Sequence, residues 1–170
     1  MGNFLSKESK VLLDLLANSL FEAKSTIDLE NVDLEALFSE AKLQTVTATA
    51  FDSLPAAARE LNSAIYDKWQ MYSYSVMAKN SQQMHANLEL QKLFDNLNLP
   101  ICTIKGFASA YYYNKKHLRQ MGDIDFIVPE NRVEEYKKIL DANGFECVDE
   151  AEDHDFHIGY KKNKDLYEMH

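Results

Sequence analysis

Apolar residues recur at three- and four-residue spacing through the first half of the chain, and past Pro100 they gather into short runs bounded by turn residues. The first pattern predicts helices. Leu12, Leu15, Leu16 and Ala23 mark an amphipathic helix over about residues 6 to 24, with Ser6 as its N-cap, and a second helix fits Asp33 to Leu43. The segment "TVTATAF" is β-branched enough for a strand but lies between helical segments, and is read as helix. Pro55 suits a first helical turn, and neither Pro nor Gly intervenes before Leu97. One long helix is therefore expected over about 55 to 97, any break falling near Asn80 and Ser81. Its apolar stripe, through Leu61, Ile65, Trp69, Tyr72, Val76, Met84, Leu88 and Leu93, reads as core packing rather than a ligand box.

Pro100 stops that helix, and the elements then alternate. The reading is a strand at 101–105, a helix at 107–114, a strand at 123–128, a helix at 130–142 closed by Asn143 and Gly144, and a strand at 145–148. Residues 155–161 and 165–170 form a hairpin turning at "KNKD". The expected fold class is α+β: a helical region over 1–97, then a small mixed β-sheet with flanking helices over 98–170.

Composition narrows the partners. The chain has 170 residues, enough to bury a real core, and a formal net charge of −9, which disfavours nonspecific nucleic-acid binding. A small anion bridged by divalent cations meets no such obstacle. Cys102 and Cys147 sit in apolar stretches and read as small packed hydrophobes. No run is long enough to span a bilayer and no signal-peptide pattern opens the chain, so a cytoplasmic location is expected. "MGNFLS" matches a myristoylation pattern, but its serine is better explained as the first helix cap.

The candidate chemistry starts at "MGDIDFIV", residues 121 to 128. Side chains alternate along a strand, so Asp123 and Asp125 project together, about 6.5 to 7 Å apart at Cα. Two like charges at that distance call for a cation: a metal ion, a lysine, or simply water around them. Acids also gather at strand ends for solubility alone, so context has to decide. Lys105 and Gly106 end the preceding strand, Arg119 lies four residues before Asp123, and Glu168 lies in a late strand. Three carboxylates on adjacent strands would make a hard-oxygen site suited to Mg²⁺, and two such ions could clamp both oxygens of a phosphoryl displacement. Lys105 and Gly106 at a strand-to-helix junction would offer N–H groups to phosphate, and Arg119 would either hold phosphate or pair with an aspartate. In "DLYEMH", Leu166, Glu168 and His170 share one face and Tyr167 and Met169 the other; an edge-strand glutamate in solvent is the plainer alternative for Glu168. His154, His157 and His170 make a zinc site conceivable, but their spacing matches no zinc pattern and they read as surface imidazoles.

At this point the second half resembles a known family. "IKGFASAYYYNKKHLRQMGDIDFIV", with "ANGFECV", "HDFHIGY" and "LYEMH", looks like the uncharacterised nucleotidyltransferases of the DNA polymerase beta-like superfamily, over about residues 85 to 170. The resemblance implies that Asp123, Asp125 and Glu168 are a catalytic, metal-binding triad, and that Lys105, Gly106 and Arg119 line the nucleotide phosphates. Phe107 follows Gly106 where the superfamily usually has Ser or Gly, leaving Ser109 as the nearest hydroxyl, and the gap to Asp123 is longer than in the minimal enzymes. The chain ends two residues after Glu168, where such proteins generally continue, so a longer parent protein is expected.

The function expected is Mg²⁺-dependent transfer of NMP from an NTP to a hydroxyl on a small molecule, a protein or an RNA end. Two alternatives are a nucleotidyltransferase of the toxin–antitoxin type and a non-catalytic binding or assembly module that oligomerises through the long helix.

Overall fold

In a computed structural model, which describes residues 5–149 and 157–170, Ser6 caps the first helix: its Oγ accepts a hydrogen bond from the Ser9 N–H at 3.0 Å. Most of "MGNFLS" and His154 lie outside the described residues. The helices are α1 (Lys7–Phe21), α2 (Leu34–Leu43), α3 (Thr47–Asp52), α4 (Ala57–Leu61), α5 (Ser63–Asn96), α6 (Gly106–Ala110) and α7 (Val133–Ala142). The strands are β1 (Cys102–Thr103), β2 (Ile124–Ile127), β3 (Glu146–Asp149), β4 (Ile158–Lys162) and β5 (Asp165–Met169), so the fold is α+β. By contacts the chain forms two units, Met1–Asn80 with Tyr113–Gln120, and Ser81–Tyr112 with Met121–His170.

The first unit is a helical cluster. Asp33 caps α2 by accepting from the Glu35 and Ala36 N–H groups at 2.9 and 3.1 Å. Val11, Leu12 and Leu15 of α1 pack with Leu37 and Phe38 of α2 and with Trp69 of α5. Trp69 is fully buried and its indole N–H donates to the Thr47 carbonyl at 2.9 Å, which confirms the core-packing reading of that tryptophan. The "TVTATAF" stretch is helical as expected: Thr47, Ala48, Thr49 and Ala50 are buried, and the Thr49 hydroxyl donates to the Leu118 carbonyl at 3.2 Å.

Two expectations about the long helix are corrected. The break falls at Asn62, not at Asn80 and Ser81: Asn62 is extended, and its Oδ1 accepts from the Ile65 N–H at 3.1 Å, capping α5. Asn80 stays helical because its buried amide donates to the carbonyls of His117 and Arg119 at 2.8 and 2.7 Å. Leu61, Met84 and Leu88 are exposed rather than packed, as are Met71 and Tyr74. The inward face of α5 is partly built of amides, Asn80, Gln83 and Asn87, whose hydrogen bonds to other segments replace apolar packing.

The second unit is built on a mixed sheet of strand order β1-β2-β5-β4-β3. Among the described strands only β2 and β5 run parallel; the other neighbours are antiparallel. The "KNKD" hairpin turns at Asn163, whose φ of 57° is the left-handed conformation Asn tolerates. Leu90 and Phe94 of α5 and Tyr136 and Leu140 of α7 pack on Ile124, Phe126, Tyr160, Tyr167 and Met169 from the sheet. Gly144, at φ +77°, follows the last turn of α7 as the Asn-Gly signal predicts. Both cysteines are unpaired, but they are exposed rather than packed, because β1 and β3 are the two outer strands. Among the described residues no helix is long and apolar enough to cross a membrane.

Candidate active site

The parallel pairing of β2 and β5 places the two carboxylates side by side. Ile124, Asp125 and Phe126 lie opposite Tyr167, Glu168 and Met169, so the alternation that sends Ile124, Phe126, Tyr167 and Met169 into the core leaves Asp125 next to Glu168 on the other face. Pairing continues past β5: the His170 N–H donates to the Phe126 carbonyl at 2.9 Å, and the Val128 N–H donates to the His170 carbonyl at 3.0 Å. His170 thereby joins the same face as Glu168. On the other side of β2, the Ile104 N–H donates to the Asp125 carbonyl at 2.9 Å, which delivers Lys105 beside that aspartate.

Lys105 supplies the cation. Its Nζ lies 2.5 Å from Asp125 Oδ1, 3.5 Å from Glu168 Oε2 and 3.4 Å from His170 Nε2. The Asp125 side chain is 2% exposed and the Lys105 side chain 55%, so the ammonium reaches a buried carboxylate from solvent. Lys105 has φ 46° and ψ −110°, a region L-residues rarely adopt, with a cost of about 1–3 kcal/mol at such positions.

The electrostatics separate the two acids. Burial opposes ionisation of Asp125, but hydrogen bonds from Lys105 and His170 and the lysine charge outweigh it, and its pKa is lowered. Glu168 moves the other way, raised by burial and by the negative charge of Asp123, with the His157 charge working against them. The hydrogen bond to Asp125 holds the Lys105 pKa above its ordinary value despite some desolvation. Two carboxylates that share a site divide in this manner, one held ionised and the other made the better proton acceptor.

Asp123 lies just before β2, half-buried, close enough for its charge to act on Glu168. The preceding carbonyl, of Gly122, accepts from the buried Gln83 amide at 2.7 Å, which anchors the entry to the strand. Among the described residues, the convergence of ligand-type atoms is a different trio from the expected one: Asp125, Glu168 and His170, all within 4.8 Å of one another. Two oxygens and one imidazole nitrogen at that spacing fit a divalent cation. Gly106 opens the five-residue α6 directly after Lys105. Arg119 ends a short 3-10 turn and belongs to the other unit.

The histidines are what sequence reasoning undervalued. His170 Nε2 is 3.1 Å from Asp125 Oδ1 and 3.7 Å from Glu168 Oε2, His157 Nε2 is 4.0 Å from Glu168 Oε1, and the two rings are 5.6 Å apart. The alternation of "LYEMH" already put His170 on the face of Glu168; the parallel register that brings it to Asp125 is a long-range pairing the local pattern does not contain.

A family model of uncharacterised nucleotidyltransferases matches residues 30–170. The chain belongs to that family. No curated protein and no solved structure matches it. Membership in this nucleotidyltransferase family supports a general role in nucleotidyl transfer, and the match covers most of the helical half as well as the sheet. Among the described residues of this family member, the carboxylate–imidazole cluster of Asp125 on β2, Glu168 on β5 and His170 just beyond it is the group able to hold a metal ion.

Proposed function

We propose that the protein transfers an NMP group from an NTP to a hydroxyl acceptor with a divalent cation such as Mg²⁺, at the face formed by Asp123, Asp125 and Glu168. The observation that carries this reading is the register of Asp125 against Glu168, with Asp123 at the entry to the same strand and Lys105 between the two acids. The acceptor oxygen attacks the α-phosphorus, the bond from that phosphorus to the oxygen bridging to the β-phosphate breaks, and pyrophosphate leaves. The bound cation supplies neutralisation of charge on the phosphate oxygens.

The chain's own groups do the rest. Asp125, kept ionised, and Asp123 hold the cation; Glu168, with its raised pKa, completes the site and accepts the hydroxyl proton. Lys105, half in solvent, turns from the carboxylates to the phosphates when they arrive, beside the N–H groups that follow Gly106.

Thermal unfolding with each of the four NTPs, with and without Mg²⁺, tests this. A ligand at 100 times its dissociation constant stabilises by about 2.7 kcal/mol. The expected result is a Mg²⁺-dependent rise in Tm with at least one NTP, absent in Asp123→Asn/Asp125→Asn. No rise with any NTP would overturn the reading in favour of a non-catalytic module.

A further inference from the structure

We infer that His170 is a metal ligand and that its nitrogen makes the site favour borderline first-row ions, of the Co²⁺ and Zn²⁺ kind, over Mg²⁺ in affinity. The inference rests on the reading of this face as a cation site and goes beyond it in naming a ligand and a class of ion.

Three independent features converge on His170. Among the described residues, its Nε2 joins Asp125 and Glu168 in the one group whose ligand atoms all lie within 4.8 Å of one another, a group that does not include Asp123. Its backbone is fixed to β2 on both sides, by the bonds to Phe126 and Val128, so the ring position is set by the sheet rather than by a loose tail. The point to which the three atoms converge already holds a positive charge, the Lys105 ammonium, at 2.5, 3.5 and 3.4 Å from Asp125, Glu168 and His170. A place that holds an ammonium among two carboxylates and an imidazole nitrogen suits a divalent ion when the lysine, 55% exposed, swings out and the nitrogen turns its lone pair to the metal.

The donor set decides the preference. Carboxylate oxygens suit Mg²⁺, Ca²⁺ and Mn²⁺, whereas imidazole nitrogen suits zinc and the later first-row ions. Mg²⁺ gains little from an imidazole, so the carboxylates carry its binding. Cobalt and zinc gain from the imidazole as well.

The test uses the full chain without nucleotide. Co²⁺ binding is followed by calorimetry and by its visible d–d absorption, Zn²⁺ and Mg²⁺ by competition against it, in the parent, His170→Ala, His170→Asp and Asp125→Asn. His170→Ala should weaken Co²⁺ by at least the roughly ten- to hundredfold that losing even a supporting residue costs a metal site, and Mg²⁺ by much less. His170→Asp, with an all-oxygen set, should shift the ratio of affinities toward Mg²⁺ and change the d–d spectrum. Asp125→Asn should abolish binding of every ion. An unchanged Co²⁺-to-Mg²⁺ affinity ratio in His170→Ala, or a parent that binds no divalent ion, would overturn the inference. Because nucleotide is absent, the nucleotidyl-transfer reading fails separately: a parent that binds Co²⁺ through His170 yet shows no Tm rise with any NTP keeps the metal ligand and loses the transferase.

Discussion

The two faces of strands β2 and β5 are made by alternate residues of the same short segments, and they have opposite physics. One face, Ile124, Phe126, Tyr167 and Met169, is nearly solvent-free and packs on α5 and α7. The other gathers Asp125, Glu168 and His170 around one ammonium, where burial and like charge oppose ionisation of Glu168 while the ammonium favours that of Asp125. The difference shows that a site of this kind is stabilised from behind. Packing on the apolar face holds the strands in register, and the register holds the acids together.

The largest effect should come from breaking that support. Phe126 is fully buried against Phe94, with ring centroids 6.4 Å apart. Phe126→Ala should cost about 3–5 kcal/mol in urea unfolding, with the site lost only as the whole unit melts. A smaller loss should follow from alkali. Burial, and then the charge of Asp165, push the Tyr167 phenol up to about 12. The folded state therefore keeps the proton that the unfolded chain releases near pH 10, so this stability is fully present below pH 10 and fades as pH rises toward 12. The loss should reach roughly 2 to 3 kcal/mol, and Tyr167→Phe should flatten it. The charged face gives the smallest change. Lys105→Met leaves the buried Asp125 carboxylate without its ammonium, yet the lysine is half exposed, so the cost should be about 1–2 kcal/mol. Adding Asp125→Asn in that background should recover most of it; a fully additive second loss would mean that the pair is not coupled.

Legibility follows the range of the interactions. Ser6 and Asp33 act on N–H groups two or three residues away, and the "KNKD" turn and the Asn143-Gly144 ending are equally local, so the sequence displays them. The D-x-D and the alternation around Glu168 are local too, which is why the carboxylates were visible. Asn80 misled because its partners, His117 and Arg119, are far along the chain, and nothing nearby marks it as a buried donor rather than a helix breaker. His170 depends on β5 lying parallel to β2, and the exposure of the cysteines depends on which strands are outermost. Strand order is a property of the assembled sheet.

That order has a practical side. Cys102 and Cys147 stand solvent-exposed on opposite outer strands of a five-stranded sheet, roughly 20 Å apart given ordinary strand spacing. The native sequence thus already carries two labelling handles, one three residues before Lys105 and the other at the far rim. A dye or spin-label pair attached there spans the sheet that carries the carboxylates and would read the intactness of its strand order as a distance, with no engineered residue in the chain.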